Sequence, residues 1–162
     1  MIAGNFKHGF VAFILIILQS TLMHLASVEG VTPDLLTIWI VYLALTKGQM
    51  YATTWGFAIG LVFDLATGSF IGLSALTKTL AGFIAGYFFN ETQTKLVLGS
   101  YRFLLIVLLT SFIQDTAYFV VFTRGTDIDL IQATVQFGLA TTLYTGTVSL
   151  IPIFKFSRQL LT

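Results

Sequence analysis

Between Gly56 and Gly72 the sequence sets glycine at 56, 60, 68 and 72 and aspartate at 64, all on one four-residue spacing. Residues four apart share a helix face, so Gly56, Gly60 and Asp64 form a smooth strip that ends in a carboxylate. In a water-soluble helix each glycine would cost about 1 kcal/mol against alanine. In lipid the same glycines let a neighbouring backbone come close, which is how membrane helices pack. Gly82 and Gly86 repeat the spacing on the next apolar run. The pattern predicts two helices built to be contacted closely by other helices, with a charge between them.

Composition decides in favour of lipid. Of the 162 residues 56% are hydrophobic and 9% are charged, against about 25% charged in soluble domains. An all-α integral membrane protein follows. A net charge of +1 with no basic patch excludes a nucleic-acid partner. The absence of cysteine excludes disulfides and thiolate metal sites.

About six transmembrane helices are predicted, in one polytopic domain over 1–162. Span one covers about Phe10 to Ala26 and reads as an uncleaved first helix rather than a removable signal. His24, near its far end, reads as an interfacial residue. Val28 to Val31 reads as a turn. Thr32-Pro33-Asp34 carries a helix-start signature: a capping hydroxyl, a proline, then an acid at the positive end of the dipole. Span two, Leu35 to about Leu45, is short for a bilayer core of about 30 Å. It must borrow its flanks from Pro33 to Gly48, or else be re-entrant. Span three is Tyr51 to about Leu65, and Ala66 to Ser69 makes the turn into span four, about Phe70 to Phe89. The two hairpins of 33–90 form the core motif. A polar connection from Asn90 to Ser100 leads to span five, about Tyr101 to Phe122. A loop from Thr123 to Asp129 leads to span six, Leu130 to Phe154.

Asp64, Lys78 and Asp115 are the ionisable residues inside these spans, where such groups are rare and usually paired or turned to a cavity. At 1.5 Å per residue, Lys78 lies roughly 9 Å, Asp64 roughly 6 Å and Asp115 roughly 10 Å from the same membrane face. The leading expectation is structural: an ion pair, with Lys78 directed toward Asp64, or an interfacial cap at Asp64. Asp115, with no cation left, is then protonated or set against water or glutamines such as Gln132 and Gln136. A polar cluster fixing spans three, four and five is the sharper alternative, and a proton relay lacks the further carboxylates or histidines it would need. No G-x-S-x-G, H-E-x-x-H or P-loop is present. A non-enzymatic protein without cofactor is expected.

With six spans, Lys7, Lys47, Lys95, Arg102, Lys155 and Arg158 share one side of the membrane and Arg124 lies on the other. The positive-inside rule then puts both termini in the cytoplasm.

Pro33-Asp34-Leu-Leu, the Tyr42-Leu-Ala-Leu run, Lys47-Gly48, Gly56-Phe-x-x-Gly60-Leu-x-x-Asp64-Leu, Gly72-Leu-x-Ala-Leu and Gly82-Phe-x-x-Gly86-Tyr together resemble the rod shape-determining protein MreD family. The resemblance implies a component of the bacterial inner membrane that serves cell elongation. It implies an MreC-like membrane protein as partner, and through it MreB and the peptidoglycan synthases. It also implies a compact bundle similar to the substrate-binding subunits of energy-coupling-factor transporters. That similarity supplies the rival function, a subunit for uptake of a small, vitamin-type molecule. Span one lacks the Ala-x-x-x-Ala pair by which such subunits dock, since it carries Ala12 and Ala26. Gly56, Gly60, Gly72, Gly82 and Gly86 are the candidate helix-packing or partner-contact positions.

Overall fold

A computed structural model describes residues 2–25, 31–123 and 134–160. The turn at Glu29, the loop holding Arg124, Asp127 and Asp129, and Gln132 lie outside the described residues, as do the side chains of His24 and Gln136. Seven α-helices are described: α1 (Ile2–Leu25), α2 (Leu35–Lys47), α3 (Gln49–Thr67), α4 (Leu73–Gly86), α5 (Thr94–Leu98), α6 (Tyr101–Phe122) and α7 (Leu139–Leu160). A π-helical turn, Thr134–Gly138, leads into α7, and Pro152 interrupts the hydrogen-bond ladder within it.

The six long helices alternate in direction. Gln19 of α1, Asp34 at the start of α2, Asp64 near the end of α3, Ser74 at the start of α4, Gln114 of α6 and Thr141 of α7 all belong to one end of the bundle. The opposite end holds Gly48, the one-residue corner between α2 and α3. It also holds α5, whose Val97 and Leu98 are buried in the core beside Leu43, Leu45 and Phe103. The 90–100 segment, expected as a plain polar connection, thus contributes an apolar plug.

Helix α2 is the axis of the fold. Leu36, Ile40, Val41, Leu43 and Ala44 are each 0% exposed, so the helix is apolar all round because neighbours surround it. Large apolar side chains turn outward instead: Phe10, Phe13, Phe57, Leu65, Leu76, Leu105 and Leu143 are exposed, while Asp64, Lys78 and Asp115 are buried. A water-soluble domain has the reverse arrangement. Toward the Gly48 end an aromatic group gathers, with Trp39 stacked on Tyr42 at 5.1 Å and His8 lying against Trp39 and Tyr51.

Among the described residues, α6 is long and apolar enough by itself to cross a membrane. With 13 and 14 residues, α2 and α4 extend for about 20 Å each at 1.5 Å per residue. That is about two thirds of a hydrocarbon core, so the ends of α2 are sunk below the ends of its longer neighbours.

Candidate functional site

A helix start sunk inside a bundle cannot look to water for partners, and in lipid its free N–H groups would cost several kcal/mol each. The sequence supplies three partners. The Leu35 N–H donates to Gln19 Oε1 of α1 at 3.0 Å, while Gln19 Nε2 donates to the Pro33 carbonyl at 2.9 Å. The Asp34 N–H donates to Thr145 Oγ1 of α7 at 2.9 Å. Asp34 itself is the N-cap, accepting the Thr37 N–H at 3.0 Å. The expected signature at Thr32-Pro33-Asp34 is therefore shifted: the capping oxygen is the Asp34 carboxylate, and Pro33 precedes the cap.

The other carboxylate oxygen of Asp34 gathers the cluster. Lys78 Nζ of α4 donates to Asp34 Oδ2 at 2.7 Å, and Gln114 Nε2 of α6 donates to the same oxygen at 2.8 Å. The Thr37 hydroxyl lies 2.8 Å from Asp34 Oδ2 and 2.6 Å from Gln114 Oε1. With one proton to give, it links the two. Lys78 also lies 3.4 Å from Thr37 Oγ1 and 5.9 Å from the centroid of the Phe63 ring. The Asp34 carboxylate thus ties α2, α4 and α6 together, and the backbone of residues 33–35 adds α1 and α7.

This corrects the expected pairing of Lys78 with Asp64. Asp64, 0% exposed, is spent on the backbone: its carboxylate accepts the N–H groups of Gly72 at 2.8 Å, Ser74 at 3.2 Å and Ala75 at 3.3 Å. Those are the first turn of α4, whose own N-cap, Gly72, has no side chain to do this. The Asp64 carbonyl meanwhile accepts from Gly68 and Ser69 at the end of α3. One residue closes one helix and opens the next. Gly68 and Gly72 have φ of 66° and 98°, which non-glycine residues rarely adopt. Gly72 is therefore a turn glycine rather than a packing one, since a Cβ there would meet nothing within 4 Å. Replacing Asp64 by alanine should cost about 0.5–2 kcal/mol, the range for a lost N-cap. Asp64→Asn, which keeps an acceptor oxygen, should cost less. Thermal unfolding in nanodiscs reads both, and equal stability of wild type and Asp64→Ala would remove the cap.

The other glycines pack against the partner helix of their own hairpin. Gly56 faces the backbone of Lys78, Gly60 that of Ser74 and Ala75, Gly82 that of Ala52, and Gly86 faces Gln49. As one number rises the other falls by the same step, so α3 and α4 are antiparallel and in close backbone contact. These faces fill one another, which corrects their candidate role as surfaces for a separate partner.

Above the recessed start of α2 is a cavity of about 200 Å³. Its lining includes Gln19, Asp34, Phe63, Lys78, Asp115 and Tyr118. Asp115 is buried and accepts a hydrogen bond from Thr142 Oγ1 at 3.2 Å; the glutamines expected beside it lie outside what is described. One turn below it, Thr110 and Ser111 bury hydroxyls that have no hydrogen-bond partner among the described residues. No group of three or more His, Cys, Asp or Glu side chains is placed to hold a metal among the described residues. The Lys78 amine is held in an ion pair and is not a free nucleophile. What this geometry does is lock five helices.

The family model for rod shape-determining protein MreD matches residues 3–160. The chain belongs to that family. It is therefore a membrane protein with a role in rod shape, in a family described as shape-determining rather than enzymatic. No curated protein and no solved structure matches it. Among the residues that carried the resemblance, Asp34 centres the polar cluster, Asp64 caps α4, and Gly56, Gly60, Gly82 and Gly86 close the hairpin.

Proposed function

We propose that this MreD-family chain is a single-domain, six-span, non-enzymatic component of the bacterial inner membrane that serves cell elongation. In this reading it binds an MreC-like membrane protein and, through it, acts with MreB and the peptidoglycan synthases. The observation that carries the reading is the family match over 3–160. A bundle locked at Asp34 and covered by outward apolar side chains suits a scaffold. Because the hairpin glycines are filled from within, a partner must be received on another surface. No observation favours the uptake-subunit reading, and the likeness to energy-coupling-factor subunits is not part of the proposal.

Depletion from a rod-shaped host should give spherical cells, and the tagged chain should recover an MreC-like protein from native membranes. Cells that stay rod-shaped on depletion would overturn the proposal. The topology is tested separately. Reporters fused after Thr162 and within the loop at Thr126 should report opposite compartments, with the C-terminus cytoplasmic, as the six-to-one distribution of basic residues requires. Equal compartments would leave five spans with one re-entrant segment.

A further inference from the structure

Three charged side chains line the cavity, and their accounts do not balance. Lys78 is neutralised by Asp34 at 2.7 Å. Asp34 is filled by Lys78, Gln114 and Thr37. Asp64, just behind, is filled by the first turn of α4. Among the described residues Asp115 is left without a cation of its own. It is 9% exposed, and among the described residues its carboxylate has neutral side-chain partners alone, Thr142 donating to Oδ2 at 3.2 Å and Gln114 beside it. Gln114, Lys78 and Asp34 lie within electrostatic reach of it, and Lys78 and Asp34 offset one another. A carboxylate in such a place is costly without a counter-charge.

Three aromatic residues, Phe63, Tyr118 and Phe119, line the cavity together with Asp115. Aromatic faces beside a carboxylate attract a cation through the ring quadrupole as well as by charge, and Lys78 already lies over Phe63. Ser69, Thr77 and Thr141 share the lining, and their hydroxyl oxygens can accept from a group with several N–H donors. The space, about 200 Å³, is ample for a small amine, since about 10–15 Å³ of such space admits one water.

We propose that this cavity binds a ligand bearing a primary ammonium group, with the ammonium seated on Asp115 against Tyr118 and Phe119. The same group can come from an aminophospholipid headgroup or from a free amine. The test uses wild-type protein in nanodiscs of phosphatidylglycerol, titrated at constant ionic strength with ethanolamine, methylamine and tetramethylammonium. A ligand that binds the folded state raises its unfolding temperature by mass action. The two primary amines should raise it saturably and tetramethylammonium should not, and Asp115→Asn should weaken the response at least tenfold. Phe119→Leu, which keeps every charge, should weaken it less, and line broadening of nitrogen-labelled ethanolamine reads binding directly if Asp115→Asn does not fold. In discs containing phosphatidylethanolamine, a wild-type response already saturated identifies the lipid as the source, and an undiminished response identifies a soluble amine. No saturable binding of either amine, an equal response to tetramethylammonium, or an unchanged response in Asp115→Asn would each overturn the proposal.

Discussion

Replacing Asp34 by alanine should destabilise the protein by about 3–5 kcal/mol, the range for leaving one member of a buried ion pair without its partner. Lys78 would keep Thr37 Oγ1 at 3.4 Å as its remaining hydrogen bond, in a site where it is 4% exposed. The Thr37 N–H and Gln114 Nε2 would lose their acceptor as well. The converse change is milder. In Lys78→Met the Asp34 carboxylate still accepts from the Thr37 N–H and Gln114, and it still sits at the positive end of α2. The pair is thus asymmetric, with Asp34→Ala the more damaging change. Asp34→Ser with Lys78→Met, which keeps a capping oxygen and removes both charges, should recover much of the loss, because a buried pair can be replaced by neutral groups. Thermal unfolding in nanodiscs and steady-state accumulation in the membrane measure all four proteins. Lys78→Met and Asp64→Asn should add without coupling, since those side chains serve different partners. Strong coupling between 64 and 78, with none between 34 and 78, would return Lys78 to Asp64.

The sequence makes the hairpin of α3 and α4 plain, because four-residue glycine spacing on two successive apolar runs has few uses other than close backbone contact. It also sets the ends of α6, where a mainly apolar run starts at Tyr101 and stops at Phe122. The polar cluster was harder to read. Depth along each span from its nearest turn pairs Lys78 with the closest acid in sequence, Asp64, and leaves Asp34 at the membrane surface. The clue to the true partner was the length of α2. A helix of 13 residues cannot bring both ends to the surface, so its cap is carried inward to the depth of Lys78. Gln19, Thr37 and Gln114 are polar residues within spans, where each polar group needs a partner. Thr142, Thr145 and Ser149 of α7, all buried, recur at helical spacing on one face. The partners of Thr142 and Thr145 lie 27 and 111 residues away, and spacing along the chain says nothing about such distances.

Replacing Gly60 or Gly82 by alanine should destabilise the protein although alanine is the better helix former. A Cβ on Gly60 would lie 2.5 Å from the Cα of Ala75 and 2.5 Å from the carbonyl oxygen of Ser74. One on Gly82 would lie 2.6 Å from the carbonyl oxygen of Ala52. Carbon–carbon contact is optimal at about 3.5–4.0 Å, and the obstructing atoms are backbone, so no rotamer change can make room. The hairpin must open by roughly 1 Å at that level, which is in the range of overpacking changes that cost about 1–3 kcal/mol. The gain in helix propensity returns at most about 1 kcal/mol. Leucine at either position should cost more, since a whole side chain would have to pass through the facing helix. Gly9 is the control, because a Cβ there would meet Trp55 Cη2 at 3.4 Å, an ordinary contact, and Gly9→Ala should be near neutral. The opening would not stay local. Ser74 and Ala75 supply two of the N–H groups that hold Asp64, and Lys78 follows one turn later on α4. Spreading the hairpin at Gly60 therefore draws α4 away from both carboxylates, and Gly60→Ala combined with Asp64→Asn should cost less than the two changes taken separately. Unfolding temperature and accumulation report the packing loss. If Gly60→Ala instead accumulates normally, unfolds like wild type and fails to recover a partner from native membranes, the glycine face meets another protein and the closed hairpin is wrong.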